Sequence, residues 1–239
     1  MDAARPQPKQ DNLLVSLLCN LLLPSFILMK GGKFFALSPT AALVVALLFP
    51  IVYFIYDLAR RRTANFVSIV GFVAILSKGV IGVMQLDKDL VAWNEACLPL
   101  IIGVAVLATL KAKRPLIHTL LYNEQIFDVE KIKGHLAERG TEAEFGGLLR
   151  RCTFWIAASF LLSAILNFVL ARVIIQSETG TEAFTAELGR MNLLSWPVIV
   201  IPSMLLTLYA LMLLTKGLER LTGLKWEELM REAPKATKP

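Results

Sequence analysis

Lys78 stands inside one of the most apolar stretches of the chain, between Ile69, Val70, Phe72, Val73, Ile75 and Leu76 on one side and Val80, Ile81 and Val83 on the other. A lysine at the centre of a membrane helix costs about 2.5–3.5 kcal/mol on insertion scales, and each Leu, Ile, Phe or Val offsets about 0.3–0.6. The neighbours together cover the cost, so the stretch inserts with the charge in it. The ammonium could pair with a carboxylate, meet a lipid phosphate, or snorkel along its own stem to the outer surface, about eight residues away. Snorkelling is the preferred reading. Ser159, Ser163 and Asn167 recur every fourth residue and so share one stripe of a helix. An amide facing lipid would stay unpaired, so the stripe is expected to face a bundle interior, as interhelical glue rather than as a substrate path. Asn20 is a similar case and a candidate partner for it. Arg172, about a turn beyond Asn167, reads as a second snorkelling residue near the outer interface. These six are the candidate intramembrane polar or packing residues.

Reaction centres of familiar kinds are missing. No GxSxG elbow, HExxH pair, P-loop or GxGxxG stands ahead of a suitable helix. His118 and His135 have no nucleophile arranged near them in sequence. Cys19, Cys97 and Cys152 are odd in number and widely spaced, which gives neither a disulfide framework nor a zinc motif. The acidic residues read as loop residues with no intramembrane pair. The sequence thus predicts no catalytic, cofactor-binding or metal-binding residue, and a protein that is not an enzyme. Its lysines and arginines flank apolar runs instead of interleaving with exposed aromatics, which argues against nucleic acid as a partner.

The elements that carry these residues are set by hydropathy. Of 239 residues, 56% are hydrophobic and 18% charged, with a mean hydropathy of +0.61. Soluble domains do not gather apolar residues into long runs of this kind. A helix needs about 20 apolar residues, and at least about 17, to cross the hydrocarbon core. Six stretches fit: Leu13–Met29, Thr40–Tyr56, Ala64–Leu86, Val91–Leu110, Cys152–Ile175 and Leu193–Thr215. Arg5 and Lys9 ahead of the first resemble a secretory signal, but Lys30, Gly31, Gly32 and Lys33 follow it with no small-x-small cleavage site, so it reads as a retained span.

The expected fold is therefore all-α and polytopic. Residues 1–12 form an N-terminal tail, 13–110 four spans, 111–151 an amphipathic helical connection, 152–215 two further spans, and 216–239 a second tail. With both termini and the 111–151 connection placed in the cytoplasm, most of the 25 lysines and arginines fall inside, as the positive-inside rule requires. An odd number of spans would spoil that split.

Within the connection, Leu116, Ile117, Leu120 and Leu121 recur at helical spacing, as do Val129, Ile132 and Leu136 up to Gly140. Thr141 and Glu144 have the form of a capping box ahead of Phe145, Leu148 and Leu149. Such a basic amphipathic region either lies on an anionic membrane surface or packs on itself as a hairpin. Phe184, Leu188 and Met191 suggest a short surface helix in an acidic outer loop. Pro24, Pro50, Pro99, Pro197 and Pro202 should kink their spans. Leu22–Leu28 and Val200–Leu206 resemble each other around a shared Pro-Ser, as paired broken helices of repeat-built transporters can. Ser68, Gly71, Gly79 and Gly82 form a small-residue face bordered by Lys78.

The order of features resembles the bacterial intracellular septation protein A family and its six-span relatives. The resemblance runs over most of the chain: the early Leu23–Pro24 helix, Asp89 and Trp93 ahead of the fourth span, Arg114-Pro115-Leu116-Ile117 after it, and Leu166-Asn167 in the fifth. Asn94 replaces a lysine common in that family, and the connection Pro115–Arg151 is longer than in the septation proteins proper. The resemblance implies a bacterial inner-membrane protein of cell-envelope upkeep, acting through lateral contacts with lipid and with envelope or division proteins, and it brings no catalytic residue. The rival expectation is a small transporter or channel with a polar path near Lys78 and Asn167.

Overall fold

The computed structural model describes residues 18–61, 66–111 and 127–230. Leu13–Leu17, the Leu116–Leu121 repeat and the tail beyond Met230 lie outside them, as do the side chains of Cys19, Asn20, Asp57, Ser68 and Gly71. The described residues are helical apart from short connections. Their one β contact is an isolated antiparallel bridge between Phe127 and Met230. Helices are the expected answer to a hydrocarbon solvent, because each satisfies its own backbone donors and acceptors.

The helices are α1 (Leu23–Phe35), α2 (Pro39–Arg61), α3 (Phe66–Val83), α4 (Asp89–Ala108), α5 (Val129–Arg139), α6 (Glu142–Ile174), α7 (Glu182–Ser195), α8 (Ile201–Thr222) and the single turn α9 (Trp226–Leu229). Among the described residues four segments are long and apolar enough to cross a membrane: Pro39–Tyr56, Asp89–Ala108, Glu142–Ile174 and Glu182–Thr222. Apolar side chains such as Val52, Ile165, Val173 and Leu205 stand exposed on their outer faces, where lipid rather than water solvates them. Helical throughout its main elements, with four such segments, the described chain has the make-up of a polytopic membrane protein.

Contacts divide it into two compact units, Met1–Leu98 with Ala164–Ile199, and Pro99–Ser163 with Val200–Pro239. In the first unit α1 packs against α2 and α7. Leu28, Leu43, Ile81, Val91, Phe184, Leu188 and Met191 belong to its core. The outer-loop expectation is corrected here. Phe184, Leu188 and Met191 do lie on a helix, α7, but they are buried to 1%, 1% and 2% exposure instead of lying on a surface. Gly189 makes this possible: a Cβ there would come within 2.8 Å of the Ser25 carbonyl and 2.6 Å of Met29 Cγ. Bare backbone lets the two helices meet.

In the second unit α5 lays Val129, Ile132 and Leu136 into a core that also holds Leu214, Leu218, Leu221 and Leu229. Asp128 caps α5 by accepting from the Lys131 amide at 3.2 Å, and Gly140 ends it at φ +66°. The apolar stripe of α5 thus faces protein rather than a lipid surface. Thr141 donates its hydroxyl to the Leu221 carbonyl at 3.1 Å. α6 then runs unbroken for 33 residues, or about 50 Å at 1.5 Å per residue. Phe145, Leu148 and Leu149 lie in its first turns, continuous with the apolar run that follows.

Two breaks share one local design. A π-helical turn, Leu18–Leu22, precedes Leu23-Pro24-Ser25, and a second, Trp196–Val200, precedes Ile201-Pro202-Ser203. Proline withholds the amide that its preceding turn would use, and the widened turn re-registers the ladder around the gap. The hydroxyls of Ser25 and Ser203 are both buried without a described partner.

Candidate functional site

The site is built at one end of the first unit by the hairpin of α3 and α4. Residues 84–88 form the bend, and α4 starts at Asp89, where a carboxylate favours a helix N-terminus. Lys78 lies five residues before the end of α3 and Glu95 six residues after the start of α4, so each is about 8 Å into the hairpin. Their side chains form an ion pair, with 20% and 17% exposure. Glu95 Oε1 is shielded from solvent and has no regularly angled hydrogen bond; the ammonium is its counter-charge. Two expectations are corrected. Lys78 does not extend free to the outer surface, and Glu95 is a helical residue within a candidate span, not a loop residue. Opposite charges that close satisfy each other more fully than one cation reaching for the interface.

Lys78 is positioned by its glycine neighbours. Gly79 and Gly82 are buried, and any side chain on them would strike Leu47 and Leu43 of α2. α2 and α3 therefore pack closely, with Lys78 at the edge of the contact. There it borders a cavity of about 290 Å³ within the first unit. Pro24 and Leu28 of α1, Leu43, Ala46, Leu47 and Pro50 of α2, and Leu188 and Asn192 of α7 form the other walls. Asn192 has no hydrogen-bond partner among the described residues.

A polar cap closes the same end of the unit. Arg172, expected to snorkel near the outer interface, pairs with Asp89, both about half exposed. Lys88 donates to the Gln176 carbonyl at 2.7 Å and to Glu178 at 2.9 Å. Glu187 accepts from the amides of Gln176 and Ser177, each at 3.0 Å, and from the Ser177 hydroxyl at 2.8 Å. Trp93 packs edge-on against Phe168, with ring centroids 4.9 Å apart.

The serine stripe works elsewhere. Ser159, in the second unit, donates to the Ser203 carbonyl at 2.7 Å and shares a 3.0 Å contact with the Thr207 hydroxyl. This ties α6 to α8. Ser163 and Asn167 each have a partner of their own, and neither lines the cavity of the first unit. The side chain of Asn20 lies outside the described residues. Glu95 and Asn192 are site residues that the sequence reading passed over. Glu95 lies inside the expected fourth span, one turn beyond buried Val91, and treating it as a carboxylate within that span, rather than as a loop residue, would have found it. Among the described residues no His, Cys, Asp and Glu cluster could hold a metal ion. No protein-family model, curated protein or solved structure matches the chain.

Proposed function

We propose that this is a non-enzymatic, septation protein A-like protein of the bacterial inner membrane, supporting cell-envelope or septum processes through lateral contacts with protein or lipid. In this reading the chain crosses the bilayer six times, α1 and α3 joining the four long apolar segments, with both termini cytoplasmic. The observation that carries it is the internal pairing of charges: Lys78 with Glu95 and Arg172 with Asp89. Groups spent on each other hold helices together and leave the apolar outer faces as the surface available to others. Two-sided labelling of single-cysteine variants in oriented vesicles tests the layout. Termini on opposite faces would overturn it. Photocrosslinkers at the exposed positions Val52 and Val173 should give discrete adducts in native membranes; a lipid turned over, or a solute carried by the purified protein in liposomes, would end the lateral-contact reading.

The cavity beside Lys78 and the paired Pro-Ser breaks favour a second reading, a small transporter or channel, since such proteins bind substrate beside broken helices. Lys78→Leu should then abolish flux with expression intact, and unchanged flux removes the case. Asn167 is not among the residues lining the cavity, so Asn167→Leu serves as the test of a longer path.

A further inference from the structure

We propose that the cavity beside Lys78 is a binding site for a small uncharged amphiphile: one hydrogen-bonding head on an aliphatic chain. Its volume of about 290 Å³ lies near the lower end of ligand pockets, about 300–1,000 Å³. It is roughly twice the 150 Å³ engineered cavity that takes benzene, so a ligand of about a dozen non-hydrogen atoms fits.

The walls state the rest of the chemistry. Leu28, Leu43, Leu47 and Leu188 supply a lining for a hydrocarbon chain. At the polar end, an ammonium has three donors and its pairing with Glu95 engages one oxygen, which leaves N–H groups for an incoming oxygen. The Asn192 carboxamide adds two donors and an acceptor with no described partner. Such a constellation of few polar groups in an apolar cleft fixes the orientation of an amphiphile.

Charge decides among heads. Lys78 and Glu95 cancel, so the site is neutral when empty. An anion must dislodge Glu95 or leave a net negative charge in a low-dielectric place, and a cation leaves a net positive charge beside Lys78, on a wall that carries no carboxylate. A hydroxyl or amide head avoids both. The inference stands apart from the lateral-contact reading and does not require transport.

The test uses the full chain in phosphatidylcholine nanodiscs at pH 8 and a diazirine-bearing octanol as photolabel. Adducts are expected in the peptides carrying Leu43 to Pro50 and Leu188 to Asn192. Unlabelled 1-octanol should displace the label at concentrations where octanoate and octylammonium do not. Ala46→Phe, which fills the cavity, should reduce labelling at least tenfold, and Asn192→Leu about tenfold, while Val44→Phe on the exposed side of the same helix leaves it unchanged. Should Ala46→Phe fail to fold, the head-group comparison on the native chain still decides. Labelling spread evenly over lipid-facing positions such as Val52 and Ile165, or equal displacement by octanoate, overturns the proposal; that pattern means bilayer partitioning only.

Discussion

Removing one partner of the Lys78–Glu95 pair should harm the protein more than removing both. Lys78→Met strands a carboxylate and Glu95→Gln strands an ammonium, each in a place where the side chains keep 20% and 17% exposure. Stranding one charge of a buried pair costs about 3–5 kcal/mol. The residual exposure puts this pair at the low end, about 3 kcal/mol. For a chain of this size each kcal/mol moves the melting temperature by about 2–4 °C, so each single variant should melt roughly 6–12 °C below the native protein. The double variant Lys78→Met/Glu95→Gln removes both charges and should recover most of that loss, because a buried pair is often no better than neutral groups of like volume. Arg172→Ala supplies the contrast. Its pairing with Asp89 is about half exposed, which limits the effect to about 1 kcal/mol or less. The assay is a melting curve in nanodiscs, read as a double-mutant cycle. Single-variant losses that simply add in the double variant would refute the reasoning, since two uncoupled groups behave in that way.

Three further outcomes follow from packing. Gly189→Ala drives a methyl group onto the Ser25 carbonyl, a backbone atom that cannot swing aside, and should destabilise by about 1–3 kcal/mol; a native melting curve counts against the α1–α7 crossing. Ser159→Ala loses its bonds to Ser203 and Thr207 and should cost about 0.6 to 1.7 kcal/mol, from the average to the maximum found for membrane interhelical hydrogen bonds, measured by the same melt. Ile132→Ala, at 0% exposure, should cost about 2–5 kcal/mol. An unchanged melt there would mean that the α5 stripe rests on lipid after all.

Hydropathy made the helical class and the course of the long segments legible, because runs of apolar residues leave a chain few ways to satisfy its backbone in hydrocarbon. The partner of Lys78 was not legible. Glu95 follows Trp93 and Asn94, a polar opening that reads as the approach to a helix, and only the start at Asp89 shows that it sits on the buried side with Val91, Ala92 and Ala96. The partner of Arg172 was hidden for a related reason: its carboxylate, Asp89, lies far away in sequence, and spacing rules see only near neighbours. The α5 stripe showed the opposite limit. Its period gave the helix, but period alone does not say whether lipid or the leucines of α8 cover an apolar face.

The twin π turns ahead of Pro24 and Pro202 bear on how the chain moves. A helix resists bending through its ladder of amide bonds, and here rungs are absent at two matching places, each followed by an idle hydroxyl. Thermal bending should therefore be greater at residues 18–25 and 196–203 than along the proline-free α3 and α6. Amide exchange would be fastest there. Ser25 and Ser203 each offer an oxygen ready to take up whatever bond a flexing turn lets go.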